Sequence, residues 1–319
     1  MKNLLLFAVT FLIFLSFNSC RKKKKDNWDD TIQSGIINIA ADKSFENLIN
    51  AEIKVYESVN NFSAIIFPIY TNENEVIRLL TEDSVRLAVA TRDLNTIELK
   101  KLEEKKMIHK KFLIAFEGIA LIINITNQDS IMSLQTLKKI LTGEITEWSK
   151  VNPKSSLGPI RIIFDNNQSS LIRFVNDSIA RNESLSPNLY ALKNIDELIE
   201  KVSELPNAIG IVGFSQISEE YQWKSSSLQT KIRLMRIGKD ENATLQNTYL
   251  PYLGDIITEE YPLWRPVYVL LTDPRMGLSS AFSIFLARDA GQTVIQKSGF
   301  LPAVRPPSVR DVEIKDKML

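Results

Sequence analysis

The sequence predicts an α/β fold with two lobes, in which the first lobe is discontinuous and two crossing strands join the lobes. Short apolar runs alternate with stretches of helical spacing along most of the chain. Two longer apolar runs, residues 112–124 and 266–272, stand apart and enclose a second α/β region. A chain that leaves one α/β unit, completes another and then returns needs two strands that cross between the units.

Three strand-helix units open the first lobe. Residues 36–41, 62–70 and 85–90 are short apolar runs that predict strands. A helix-start signal, Asp42-Lys43-Ser44, follows the first strand, and residues 75–80 begin a second helix. Repeats of this size imply parallel strand pairing with helices on both faces of the sheet.

The enclosed region repeats the same alternation. It contains a predicted strand at residues 160–164, a helix from about Ser170 to Ala180, and a strand at residues 208–212. After residue 272 the pattern predicts one or two helices and a last short element at residues 299–302. We therefore assign residues 34–123 with 256–305 to lobe 1 and residues 124–255 to lobe 2.

The N-terminus has the pattern of an export signal. Lys2 supplies a positive start, the apolar run from Leu4 to Leu15 is shorter than the roughly 20 residues of a spanning helix, and Cys20 follows. A lone cysteine at this place resembles a bacterial lipoprotein site, which implies a signal peptide at residues 1–19 and lipidation of Cys20. An ordinary cleaved signal and an uncleaved anchor, each with a chance cysteine, are the other interpretations. All three export the remaining chain.

Residues 20–33 are predicted to form a tether, and residues 306–319 a C-terminal tail. Five basic residues, Arg21 to Lys25, follow the proposed lipid directly, and each cation near an anionic bilayer contributes about 1 kcal/mol. The run is either an aid to membrane attachment or a solvated linker.

Composition excludes several classes of function. The net charge of +1 argues against a nucleic-acid partner. Because Cys20 and His109 are single, no intramolecular disulfide forms, and most metal sites and nucleophile-base pairs are ruled out. No nucleophile elbow and no phosphate-cradling glycine loop occurs. We therefore expect no metal, no cofactor and no enzymatic activity.

Five stretches carry a family resemblance: LQTLKKILTGEITEW at 134–148, IAFEGIALIIN at 114–124, AIGIV at 208–212, YPLWRPVY at 261–268 and GQTVIQKSGFLP at 291–302. Together they are similar to the substrate-binding proteins of phosphate ABC transporters, a branch of the periplasmic-binding-protein class. The resemblance implies a type II periplasmic-binding-protein fold. Within the stretches, Gly143 is expected to end a helix, Trp148 to pack between elements and Arg265 to pair with a carboxylate.

The same resemblance implies a non-catalytic receptor on the periplasmic side of a bacterial cell envelope, anchored in the bilayer through acylated Cys20. It would capture phosphate or a related oxyanion between the lobes and deliver it to an ABC permease. Helix N-termini and hydroxyl groups favour an anion in such a cleft. The expected ligand contacts are Ser44, Phe45, Asn72, Thr91, Arg92, Ser169 and Ser170.

Each of these contacts also has a purely structural interpretation. Ser44 or its neighbour Asp42 caps a helix, and Ser169 or Ser170 caps another. Thr91 and Arg92 belong to the best-preserved ligand loop, yet an arginine there also suits a salt bridge on the surface or between lobes.

The chain departs from the family pattern at three loops. The loop at 41–45 lacks the family's glycine and places Asp42 beside the expected anion site. The loop at 164–170 lacks the family's arginine and glycine, and Glu73 and Glu75 bring negative charge to a turn that is often glycine-rich. We expect both glutamates to lie in a first helical turn and face solvent. The alternative function is the same fold with another small ligand, or with a partner protein in signalling. An apolar cleft, or Glu73 and Glu75 turned inward, favours that alternative.

Overall fold

The computed structural model describes residues 30–181, 183–218 and 227–304. The predicted signal peptide, the lipidation site Cys20, most of the tether and the tail at 306–319 lie outside these ranges. Over the described ranges, no helix has the length and apolar character needed to cross a bilayer.

A strand occurs at each apolar run that predicts one, and four further short strands, at residues 131–133, 189–191, 232–234 and 236–238, are not predicted by the sequence. The bounds of the strands are β1 Gly35–Asp42, β2 Ala64–Thr71, β3 Leu87–Ala90, β4 Lys110–Asn124, β5 Ile131–Ser133, β6 Arg161–Phe164, β7 Leu189–Ala191, β8 Ala208–Gly213, β9 Ile232–Leu234, β10 Arg236–Gly238, β11 Trp264–Leu271 and β12 Leu301–Pro302.

The helices fill the connections between strands. Their bounds are α1 Glu46–Val59, α2 Glu73–Thr81, α3 Thr96–Glu104, α4 Leu134–Thr142, α5 Trp148–Val151, α6 Ser170–Phe174, α7 Ile195–Glu204, α8 Leu253–Ile257, α9 Leu278–Leu286 and α10 Asp289–Lys297. A 3₁₀ turn at Lys43–Phe45 precedes α1, and a π-helical segment at Val175–Ala180 continues α6. The helix predicted from Ser170 to Ala180 is therefore present, with a change of winding after its first five residues.

One curved sheet runs through both halves of the molecule in the order β2-β1-β3-β11-β4-β8-β6-β7. Strands β1, β2 and β3 are parallel, as are β6, β7 and β8. The parallel pairing predicted from the strand-helix repeats is confirmed. Helices pack on both faces, because each strand of such a unit is followed by a crossover connection.

Strand β4 belongs to both halves. Its residues up to Gly118 pair with β11, and its residues from Ile119 pair with β8. The chain returns beside the same point, where the Ile119 N–H donates to the Leu263 carbonyl at 2.8 Å. The crossing of two strands between the lobes is thus as predicted, whereas the assigned lobe limits at 123/124 and 255/256 stay a prediction.

Each half has its own apolar core. In the first, Phe45, Ile49 and Phe282 are buried between the sheet and helices α1 and α9. In the second, Trp148 and Phe164 are fully buried. The Trp148 indole N–H donates to the Asn207 carbonyl at 3.0 Å, so its predicted packing role is confirmed.

Gly143 ends α4, as the sequence predicts. Its φ of +83° lies in the left-handed region, which a residue without a Cβ enters at little cost.

Candidate functional site

A cavity of about 440 Å³ lies between the two halves of the sheet. Loops from both sides line it, and three of the predicted ligand residues, Ser44, Asn72 and Ser169, are among the lining. Apart from Ile195, the lining side chains are polar or charged, with Lys43 and Lys193 as its cations. These residues therefore form a polar cleft, whereas an apolar cleft would have favoured a different class of ligand.

The first loop is the 3₁₀ turn after β1. Asp42 caps this turn by accepting a hydrogen bond from the Ser44 N–H at 2.9 Å, and the Ser44 hydroxyl also donates to Asp42. Burial raises the pKa of Asp42, although the nearby Arg265 opposes the rise. Phe45 is fully buried with its ring 5.9 Å from that of Phe300, and it is not among the residues that line the cavity.

The second loop follows β3, and its threonine is tied to a glutamate. The Thr91 N–H and hydroxyl both donate to Glu73 Oε1 at 2.6 Å. The Arg173 Nε donates to Glu73 Oε2 at 2.6 Å, and Arg173 Nη2 donates to the Thr91 hydroxyl at 2.6 Å. Glu73 is only 3% exposed. Its predicted exposure to solvent is wrong, because Arg173 and Thr91 supply the partners that make its burial possible.

Burial alone would raise the pKa of Glu73. The charge of Arg173 and the hydrogen bonds from Thr91 and Arg173 outweigh burial and hold that pKa below its ordinary value. Glu75 differs from Glu73, since it stays at the surface and pairs with Arg78 at 2.6 Å. Only one of the two glutamates turns inward.

Arg92, beside Thr91, forms a bidentate pair with Glu98, with both N–O distances at 2.8 Å. Glu98 also accepts from the Asn95 N–H and completes the capping box of α3. The Arg92 Nε lies 3.8 Å from Glu73 Oε2. The guanidinium therefore holds the start of α3.

The third loop leads into α6. Ser169 caps the helix by accepting from the Leu171 N–H at 3.3 Å. Ser170 accepts from Arg265 Nη1 at 2.8 Å. Asp165 belongs to the same loop, and its Oδ1 atom is buried without a hydrogen-bond partner among the described residues. Such an acceptor has a desolvation cost that a water or a ligand donor would remove.

Arg265, on β11, contacts both the first and the third loop. Its guanidinium is fully buried and pairs with the fully buried Glu117 at 2.7 Å, which confirms the predicted carboxylate partner. It also donates to Ser170 Oγ and, at 3.2 Å, to Ser44 Oγ. Sequence reasoning missed this second role, although the arginine of the return strand was the available signal.

Three further contacts connect the two sides of the cleft. In the first, the Asn72 amide donates to Gln168 Oε1 at 2.9 Å. The other two are the contacts of Arg173 with Glu73 and with Thr91 described above. The structure therefore brings Ser44, Asn72 and Ser169 to one cavity, and Ser170 is buried in contact with Arg265. Thr91 and Arg92 are not among the residues that line this cavity, although Thr91 contacts the other half of the molecule through Arg173. Among the described residues, no group of three or more His, Cys, Asp or Glu side chains is arranged to hold a metal ion.

A two-lobed α/β fold with a polar cleft between its lobes is typical of periplasmic binding proteins. A family model described as a PBP superfamily domain matches residues 29–290, and the chain belongs to this superfamily. The resemblance found in the sequence and the predicted fold class are both confirmed.

Curated relatives include the phosphate-binding protein PstS of Staphylococcus aureus strain USA300. It is 25% identical over 226 residues, which are 69% of this chain and 64% of the relative. The alignment thus covers less than two thirds of the relative's length.

Solved structures of the same fold include a putative phosphate ABC transporter substrate-binding protein with bound phosphate from Clostridium perfringens. It has a TM-score of 0.67 at 19% identity and covers 84% of this chain and 100% of its own. An ABC-type phosphate transport receptor from Vibrio cholerae has a TM-score of 0.64 at 18% identity, with coverages of 83% and 99%.

Proposed function

We propose that this protein is a non-catalytic substrate-binding protein that captures phosphate or a related oxyanion between its lobes and delivers it to an ABC permease. The proposal includes export to the outside of the cytoplasmic membrane and anchoring through a lipid on Cys20. The phosphate-binding relatives support the ligand class.

The observation that carries the proposal is that two loops, one from each half of the molecule, contact the guanidinium of Arg265. Ser44, in the turn before α1, and Ser170, at the start of α6, each lie within hydrogen-bond distance of Arg265. Backbone N–H groups in a first helical turn have no partner within the helix, and they favour an anion. An oxyanion in the cavity would therefore have donors from both lobes.

The proposed ligand contacts are Ser44, Phe45, Asn72, Ser169 and Ser170, with Phe45 contributing its N–H. Thr91 and Arg92 complete the proposed set. Ser44, Thr91 and Arg92 would each have to exchange a carboxylate partner, which is Asp42, Glu73 and Glu98 respectively, for the ligand. The lining holds two cations, Lys43 and Lys193, and three carboxylates, Asp42, Glu46 and Asp165, so the ligand would depend on hydrogen-bond donors and not on a net positive charge.

The test is isothermal titration and thermal denaturation of the full-length chain, purified in detergent and freed of phosphate. Phosphate or sulfate at millimolar concentration should release or absorb heat and raise the melting temperature, because ligand binding stabilises the native state. No heat and no thermal shift from either anion would refute the proposal.

Serine variants locate the site. Ser44→Ala and Ser170→Ala should each weaken binding by about tenfold or more, since a hydrogen bond to a charged group contributes roughly 1.5–3 kcal/mol. Ser203, which donates to a helix carbonyl at 2.7 Å on α7, provides the matched control Ser203→Ala. Equal affinity in all four proteins would contradict the assigned contacts.

A further inference from the structure

We infer that Glu73 is a built-in anion of the cleft: its carboxylate takes donors from both lobes, holds the lobes together without a ligand, and competes with an incoming oxyanion. The competition rests on the proposed function, whereas the closure does not.

The donor set around Glu73 has the composition that an oxyanion needs. One oxygen accepts from a backbone N–H and a hydroxyl of Thr91, and the other accepts from the Arg173 guanidinium, all at 2.6 Å. A second guanidinium nitrogen, from Arg92, lies 3.8 Å away. A backbone amide, a hydroxyl and a guanidinium are the groups that form strong charge-assisted hydrogen bonds with carboxylate or phosphate. These donors are therefore occupied before any ligand arrives.

Burial shows that this arrangement is built and not an incidental surface pair. Glu73 is 3% exposed, and removing a carboxylate from water costs several kcal/mol unless it is paired and hydrogen-bonded. Glu75, two residues further along the same helical turn, pairs only with Arg78 at the surface. In this helical turn, the Glu73 carboxylate is therefore buried and paired, whereas the Glu75 carboxylate lies at the surface.

The contact crosses the cleft. Glu73 and Thr91 belong to the half that contains β1 to β3, whereas Arg173 is on α6 in the other half. The neighbouring pair of Asn72 and Gln168 crosses at the same place, at 2.9 Å. The Glu73–Arg173 and Asn72–Gln168 contacts therefore connect the two halves on this side of the cleft without a ligand.

Arg173 has a second partner that makes exchange feasible. Its Nη1 donates to Asp177 Oδ2 at 3.0 Å on the exposed side of the same helix. When Glu73 leaves, Arg173 therefore keeps a counterion, and the guanidinium is not left unpaired. An oxyanion that enters meets a like charge at Glu73, which lowers its affinity until the carboxylate moves away.

The first experiment measures closure by hydrogen exchange of the full-length chain without ligand. Wild type is compared with Glu73→Ala and Glu73→Gln, and Glu75→Ala is the matched control. In Glu73→Ala we expect exchange to rise about tenfold or more both around the Thr91 amide and in residues 166–174 across the cleft. Glu75→Ala should match wild type. Unchanged exchange across the cleft in both Glu73 variants would overturn the inference.

The second experiment is titration with inorganic phosphate. Glu73→Gln keeps the shape of the side chain and removes its charge, so we expect binding at least about tenfold tighter than wild type. Weaker binding in Glu73→Gln would mean that Glu73 contacts the ligand directly, which would overturn the competition.

The two readouts separate this inference from the proposed function. If neither wild type nor the variants bind phosphate or sulfate while Glu73→Ala still loosens residues 166–174, the proposed function fails and the closure stands. If wild type binds phosphate and the Glu73 variants change neither exchange nor affinity, the inference alone fails.

Discussion

Replacing Arg265 by methionine should destabilise the protein strongly, because it isolates a buried charge. Arg265 and Glu117 are both fully buried and 2.7 Å apart. Removing one partner of a buried pair typically costs about 3–5 kcal/mol, since the other charge stays in the interior without compensation. The hydrogen bonds to Ser170 and Ser44, at 2.8 and 3.2 Å, are lost as well.

The expected change in melting temperature follows from this free energy. With an unfolding entropy of about 2.1 cal/mol/K per residue, one kcal/mol shifts the midpoint of a 319-residue chain by roughly 1.5 °C, so Arg265→Met should melt about 4–8 °C below wild type. The assay is thermal and urea denaturation of ligand-free protein, because bound anion would stabilise the native state of wild type selectively.

Two controls make the reasoning refutable. Arg78 also contacts two carboxylates, Glu75 and Glu82, but at the surface, so Arg78→Met should leave the midpoint unchanged. The double variant Arg265→Met with Glu117→Gln should recover part of the loss, since no unpaired charge remains buried. An Arg265→Met protein as stable as wild type, or a double variant no better than the single one, would refute the argument.

Two further predictions concern a buried carboxyl and a helix end. Burial raises the pKa of Glu52 to about 9, and neither carboxylate oxygen has a hydrogen-bond partner among the described residues. The folded state therefore keeps a proton that the unfolded state releases above about pH 4.5. This contribution to the stability of the wild-type protein is fully present below about pH 4.5 and is lost as the pH rises towards 9. In urea melts, the free energy of unfolding of Glu52→Leu should exceed that of wild type by about 1.4 kcal/mol more for each pH unit in this window. A difference that is the same at every pH would mean that Glu52 does not titrate. Gly143→Ala should cost about 1 kcal/mol because of its left-handed φ, whereas Gly254→Ala, where an added Cβ meets nothing within 4 Å, should not destabilise; equal melting points for the two would contradict this.

The sequence is sufficient for the fold because apolar runs determine which segments are buried. The run at residues 36–41 corresponds to β1, Gly35–Asp42, and the run at residues 266–272 to β11, Trp264–Leu271. The ends differ by one or two residues, since hydrogen bonding to neighbouring strands decides where a strand begins and ends. The order of parallel and antiparallel strands then follows from short connections and the return of the chain.

The site is less predictable, because its contacts join residues far apart in the chain. Glu73 and Arg173 are separated by 100 residues, and Asn72 and Gln168 by 96. Local rules place Glu73 correctly in a first helical turn, where the helix dipole favours it. They cannot show that a guanidinium from the other lobe buries that turn, so the expectation of solvent exposure was reasonable locally and wrong in the fold.

The same long-range contacts explain how the cleft keeps guanidinium groups although the loop at 164–170 lacks an arginine. Arg265 reaches the loop from β11, and Arg173 reaches the cleft from the end of α6. Each of them brings its own buried carboxylate, Glu117 and Glu73 respectively. Their charges are therefore already balanced, and an incoming anion gains little from simple Coulomb attraction. Under the two proposals above, an entering oxyanion replaces Glu73 at these donors, so the free energy of displacing Glu73, more than the number of cations, should set the affinity of the cleft.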